Sequence, residues 1–151
     1  MSASDEVVSV LAVDPGLRSG MAYWSCPGGF RSVIVDPEDT MDFMEAWAND
    51  HGPGGALVVE SYRITVETGK KSQQHWPLEL IGVARYLARV NRLLFVEQTP
   101  ANAKQFCPDA RLRQIGFWTP GVEDHARDAA RHLALYLTRK RLLTVPPLEE
   151  S

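Results

Sequence analysis

The sequence predicts an α/β protein: a mixed five-stranded sheet with helices packed on both faces, in the order βββ-α-β-α-β-α. Three observations lead there. Residues 7–13 form a near-continuous apolar, β-branched run, the pattern of a strand buried on both faces. Two more short apolar runs follow at once, divided by turn residues, as in an antiparallel meander. Beyond residue 36, stretches with helical spacing alternate with short apolar runs.

The first strand ends at Asp14, and Pro15-Gly16 turns the chain. Met21 to Cys26 is the second strand, Pro27-Gly28-Gly29 a tight turn and Phe30 to Val35 the third. Asp36-Pro37-Glu38 reads as a helix start, with Asp as cap and Pro at the first helical position. Met41, Met44, Trp47 and Ala48 supply that helix's apolar stripe, and His51-Gly52-Pro53-Gly54 ends it. Ala56 to Val59 is a short buried strand with Glu60 at its end. Residues 61–76 hold no sustained period and predict a long polar, basic loop or partly ordered hairpin. Pro77 to Asn91 is a helix buried through Leu80, Ala84 and Leu87, and Leu93 to Val96 a fifth strand. Thr99-Pro100 caps a short helix to Phe106, residues 107–118 are irregular and basic, and Thr119-Pro120 starts a last helix running to about Lys140.

At 151 residues the chain fits one domain, with a core over about 7–140 and a loose tail over 141–151. An apolar content of 44% with 23% charged residues excludes a disordered chain. The opening MSASDEVV has neither the basic start nor the apolar run of a secretory leader, and no stretch reaches the roughly 20 apolar residues of a membrane span. Cys26 and Cys107 have no metal-ligand spacing and predict reduced thiols, in keeping with a cytoplasmic protein. The net charge of −3 hides an asymmetry: residues 1–60 carry ten acids against Arg18 and Arg31, whereas residues 61–141 carry fourteen Lys and Arg against seven acids. That division is either a pair of solvated faces of opposite sign or a nucleic-acid surface in the second half.

The residues able to carry chemistry stand at element ends. Asp14 and Glu60 each close a strand with a buried pattern, and sites in open α/β sheets form outside the carboxyl ends of strands. If those strands are neighbours, the two carboxylates converge. In the last helix Val122, Ala126, Ala129, Leu133 and Leu137 recur at helical spacing. His125 and Asp128 lie together on the strip beside that stripe, with His132 one turn on and Asp124 further round toward solvent. His132 reads as a packing or surface residue. Three carboxylates brought together repel, and a hard divalent cation removes the penalty; oxygen ligands select Mg²⁺ or Mn²⁺, and an imidazole suits Mn²⁺. Two such ions clamp the attacking and leaving oxygens of a phosphodiester displacement. Taken singly, Asp-Pro-Gly is ordinary turn chemistry and Glu60 an ordinary strand end. The ordered set is what singles them out.

That set resembles the RuvC-type Holliday-junction resolvases of the RNase H-like superfamily, and in particular their small phage-type members. The resemblance rests on the strand-ending Asp14-Pro15-Gly16, the strand-ending Glu60, and His125-Ala126-Arg127-Asp128-Ala129 in an Ala-rich final helix. It spans about residues 7 to 140 in element order and motif order. It implies an RNase H-like fold and a two-ion Mg²⁺ or Mn²⁺ site of Asp14, Glu60, His125 and Asp128. The implied activity is structure-selective endonucleolytic cleavage of branched DNA, four-way junctions first, by a homodimer whose two sites match the junction's symmetry. His125 stands where many relatives carry Asp, and Asp124 beside it competes for the role; both the helical angle and the motif favour His125. An aromatic after the site Glu is also a feature of relatives, which points to Tyr62. Arg63, Lys70, Lys71, Lys104, Arg111 and Arg113 are the candidates for phosphate contacts. An RNA-processing branch of the superfamily and a non-catalytic junction-binding module remain as alternatives.

Overall fold

The computed structural model describes residues 7–62, 75–121 and 123–148. The strands are β1 (Ser9–Asp14), β2 (Ser19–Ser25), β3 (Gly29–Val35), β4 (Gly55–Glu60) and β5 (Leu94–Gln98). The helices are α1 (Pro37–His51), α2 (Trp76–Asn91), α3 (Pro100–Phe106), α4 (Asp109–Gln114) and α5 (Asp124–Arg139). The five strands form one mixed sheet in the order β3-β2-β1-β4-β5. β1, β2 and β3 are the expected antiparallel meander, whereas β4 and β5 run parallel to β1.

Side-chain alternation explains both the two cores and the direction of the site. Val10 and Ala12 of β1 pack with Ala56 and Val58 of β4 under α5, against Ala129, Ala130, Leu133 and Leu137. Leu11 and Val13 point the other way, with Leu57 and Val59, into a core closed by Met44 and Trp47 of α1 and Leu80, Ala84 and Leu87 of α2. β1 is therefore buried on both faces, which accounts for its unbroken apolar run. Continuing the alternation by one step, Asp14 and Glu60 fall on the α5 side of the sheet.

Three local expectations change. Residues 107–118 contain α4, a six-residue helix whose Leu112 is buried, rather than only irregular chain. α5 begins at Asp124, not at Thr119-Pro120; the chain turns at Gly121, whose φ of 76° is outside helical space. Val122, expected on the buried stripe, lies outside the described residues. Asp36 stands at the cap of α1, but its side chain caps no helix N–H and instead takes a hydrogen bond from Arg18 at 3.1 Å. Thr99 does cap α3, accepting from Asn102 N–H at 3.2 Å. Among the described residues no helix is long and apolar enough to cross a membrane.

Candidate metal centre

The parallel pairing of β1 with β4, and of β4 with β5, lines up three strand ends. Val13 pairs with Val59 and Glu60 with Gln98, so Asp14, Glu60 and Gln98 stand in a row at one rim. α5 lies across that rim. Asp14, Glu60 and Asp128 each offer a carboxylate oxygen, all within 4.8 Å of one another. His125 is not a member of that oxygen cluster; its Nδ1 lies 2.9 Å from Asp14 Oδ2. Asp124 is turned to solvent and pairs with Arg127 at 3.2 Å.

The electrostatics follow from this crowding. Burial pushes the Asp14 carboxyl above its ordinary range, the His125 hydrogen bond pulls it back, and the neighbouring Glu60 and Asp128 push it up again. The hydrogen bond to Asp14 raises the His125 imidazole, against the opposing effect of its partial burial. Three converging acid groups, one of them buried, are a donor set that suits a hard divalent cation.

α5 reaches the rim because β2 is cut away beneath it. Gly20 pairs directly with Asp14 across the β1–β2 ladder. A β-carbon on Gly20 would stand 1.9 Å from the carbonyl oxygen of His125 and 2.6 Å from the amide nitrogen of Ala126. Only a glycine permits that approach. The same end of the helix is held by Arg18, which bridges Asp36 before α1 and Glu123 before α5.

Each clustered carboxylate is also gripped by a residue of α5. His125 takes Asp14. Arg131 takes Asp128 at 2.6 Å, pairs with Asp109 of α4 and donates to the Cys107 carbonyl at 3.0 Å. His132, fully buried, takes Glu60 at 2.8 Å through Nε2 and meets Gln98 at 2.9 Å through Nδ1. Sequence reasoning left His132 aside and did not single out Gln98, Arg131 or Gly20. The one available signal was the place of His132, one turn beyond His125 and Asp128 beside the apolar stripe of the same helix.

Beside Asp128 opens a groove of about 660 Å³, lined among others by Lys104, Asp109, Asp124, Arg127 and Arg131. Lys104 is exposed there. Arg113 and Arg127 stack on the Trp118 ring at 4.1 and 4.2 Å. Arg111 is engaged internally, donating to the Phe106 carbonyl at 2.7 Å and lying over the Phe106 ring. Tyr62 follows Glu60 and packs against the core on the α1–α2 side. Arg63, Lys70 and Lys71 lie outside the described residues.

No protein-family model matches this chain, and no curated protein matches it. Solved structures do. Thermus thermophilus RuvC in complex with a Holliday junction substrate superposes with a TM-score of 0.65 at 14% identity, covering 93% of this chain and 99% of that one. A further Thermus thermophilus RuvC structure gives 0.62 at 17% identity over the same shares. The yeast mitochondrial Holliday junction resolvase Ydc2 gives 0.46 at 14% identity, over 85% of this chain and 75% of its own. The chain has the RuvC-type, RNase H-like fold.

Proposed function

We propose that this protein is a Mg²⁺- or Mn²⁺-dependent endodeoxyribonuclease that cuts branched DNA, with the Holliday junction as its leading substrate. The observation that carries the reading is the convergence of Asp14, Glu60 and Asp128 at the sheet rim of a RuvC fold, with His125 bonded to the most buried of them. Asp14, Glu60 and Asp128, with His125 as fourth ligand, would hold two divalent ions, which would supply positive charge to offset the clustered carboxylates and the negative charge that builds up at the scissile phosphate. The residues themselves prepare the site. His125 orients Asp14 through Nδ1, and α5 keeps all three carboxylates facing one point. Water adds its hydroxyl to phosphorus and its second proton goes to the departing 3′-oxygen, leaving a 5′-phosphate and a 3′-hydroxyl.

The DNA path in this reading crosses the basic second half of the chain. Lys104 stands on the groove beside Asp128, and Arg113 projects from the Trp118 stack. Arg63, Lys70 and Lys71 follow Tyr62 in the segment after β4, where phosphate contacts would fix the register of the branch. Arg111, spent on Phe106, adds field rather than a direct contact. Two sites per junction call for a homodimer, and α2 offers a face for one: Leu78, Gly82, Tyr86 and Val90 are exposed at four-residue spacing, with Leu94 exposed on the neighbouring edge strand. A self-complementary stripe suits a two-fold contact. Tyr86→Glu with Val90→Glu should give a monomer in sedimentation.

Labelled four-way junctions, forks, flaps and plain duplex, incubated with Mg²⁺ and with EDTA, test the function directly. Cleavage of the junction in Mg²⁺ alone is expected. Preferential cutting of a matched RNA would favour the RNA-processing branch, and metal-independent binding with no cutting a non-catalytic module.

A further inference from the structure

We propose that His132 is a positioning residue that sets the Glu60 carboxylate for the divalent ions, with Gln98 as its backstop. The inference rests on reading the acidic cluster as a metal site, and the test below separates the two.

The geometry is specific. His132 lies on the buried side of α5, fully enclosed, with both ring nitrogens engaged. Glu60 ends β4, and its carboxylate is the one of the three whose strand is flanked by parallel neighbours on both sides. An ionised carboxylate only accepts, so His132 Nε2 must carry the proton and donate to Glu60 Oε2. The other nitrogen then decides the tautomer. With Gln98 Oε1 facing Nδ1, the amide nitrogen of Gln98 is left buried without a partner. Exchanging the two amide atoms lets that nitrogen donate to Nδ1, removes the orphan donor and fixes His132 as the neutral Nε2–H form. An orphan acceptor is the cheaper leftover. The chain Gln98–His132–Glu60 therefore aims one N–H at one carboxylate oxygen and leaves the second oxygen of Glu60 for the cluster. Packing alone does not require this. The neighbouring buried positions on α5 are Ala130, Leu133 and Ala134, and an apolar residue would fill the same volume without a buried imidazole to satisfy. Groups that fix a ligand in this way typically change metal affinity about 10–100-fold when removed.

Two replacements split the roles of the two nitrogens. His132→Gln reaches Glu60 with an amide N–H in the place of Nε2 but gives up Gln98. His132→Asn keeps a polar group at the Nδ1 position and loses the donor to Glu60. Mn²⁺ affinity by calorimetry on the full chain, without DNA, is the readout, beside the melting temperature in EDTA. Expected is a Mn²⁺ affinity about 10–100-fold weaker for His132→Asn, with His132→Gln within a few-fold of wild type, whatever either does to melting. Equal Mn²⁺ affinity in all three proteins, or equal losses in both variants, overturns the positioning role while the metal reading stands. No Mn²⁺ binding by the wild-type chain overturns the metal reading and this proposal with it. Should His132→Asn not fold, imidazole ¹⁵N spectra of the wild type decide: the Nε2–H signal of His132 should exchange slowly and move on adding Mg²⁺, and a signal indifferent to Mg²⁺ refutes the proposal.

Discussion

Gly20→Ala is a one-methyl test of how tightly α5 and the sheet define the site. The added carbon would lie 1.9 Å from the His125 carbonyl oxygen and 2.1 Å from its carbonyl carbon. Both atoms are backbone, so no side chain can swing aside. Restoring an ordinary contact of 3.4 Å requires the start of α5 to retreat by about 1.5 Å. The retreat acts where His125 meets Asp14 at 2.9 Å, a separation that leaves no slack for it. Overpacking of this kind costs about 1–3 kcal/mol, or roughly 2–12 °C of melting temperature in a chain of this size. The functional cost is of similar size, since about 1 Å of misplacement lowers turnover about 10²-fold, or about 2.7 kcal/mol. A thermal melt and single-turnover cleavage of a junction in Mg²⁺ measure both, and binding in EDTA checks that the DNA surface survives. Turnover within tenfold of wild type, with an unchanged melt, would refute the claim that the α5–β2 approach sets the site.

Asp14→Asn, Glu60→Gln and Asp128→Asn should each lower cleavage by several orders of magnitude and retain junction binding; near-wild-type turnover in Mg²⁺ removes that residue from the ligand set. His125→Ala should cripple turnover while Asp124→Ala, a solvent-facing residue, leaves it largely intact, and the opposite pattern would shift the helix register by one residue. The metal-free protein should also lose stability as pH rises. Asp14 and His125 are both raised in the folded state, so the folded chain holds protons that the unfolded chain has released. The Asp14 part is complete below the unfolded carboxylate range and fades as pH climbs through its raised value, and the His125 part is complete below the unfolded imidazole range and fades through the raised His125 value. Melting in EDTA should therefore fall as pH rises past the unfolded imidazole range, less so in His125→Ala, and Mg²⁺ should stabilise more at the higher pH. Finally, Lys70→Ala with Lys71→Ala should flatten the log–log salt dependence of junction binding by up to about 2 units, and an unchanged slope would take that segment out of the interface.

The sheet was legible because its strands announce their burial. β1 is apolar from Val10 to Val13, as a strand covered on both faces must be, and Asp14 and Glu60 stood out as carboxylates closing such runs. The strip on α5 was legible from the helical angle alone. What was not legible depended on distant partners or backbone conformation. α4 is too short to show a period, and the Thr119-Pro120 start signal was overruled by the turn at Gly121. His132 looked like packing because Gln98 and Glu60 lie 34 and 72 residues away in sequence. Gly20 gave no sign that it underlies a helix 105 residues further on.

That last separation bears on how the protein is made. Asp14, Glu60 and Gln98 are synthesised early and can line up on the sheet, but every residue that grips them arrives on α5. A chain released from synthesis before residue 124 holds two crowded acids and no counterpart for either. A cut at the exposed turn at Gly121 would leave two pieces, one with Asp14 and Glu60 and the other with Asp128, neither holding the full cluster. On the proposed reading the ligand set exists only once α5 has been made, and a copy lacking that helix would hold no complete metal centre.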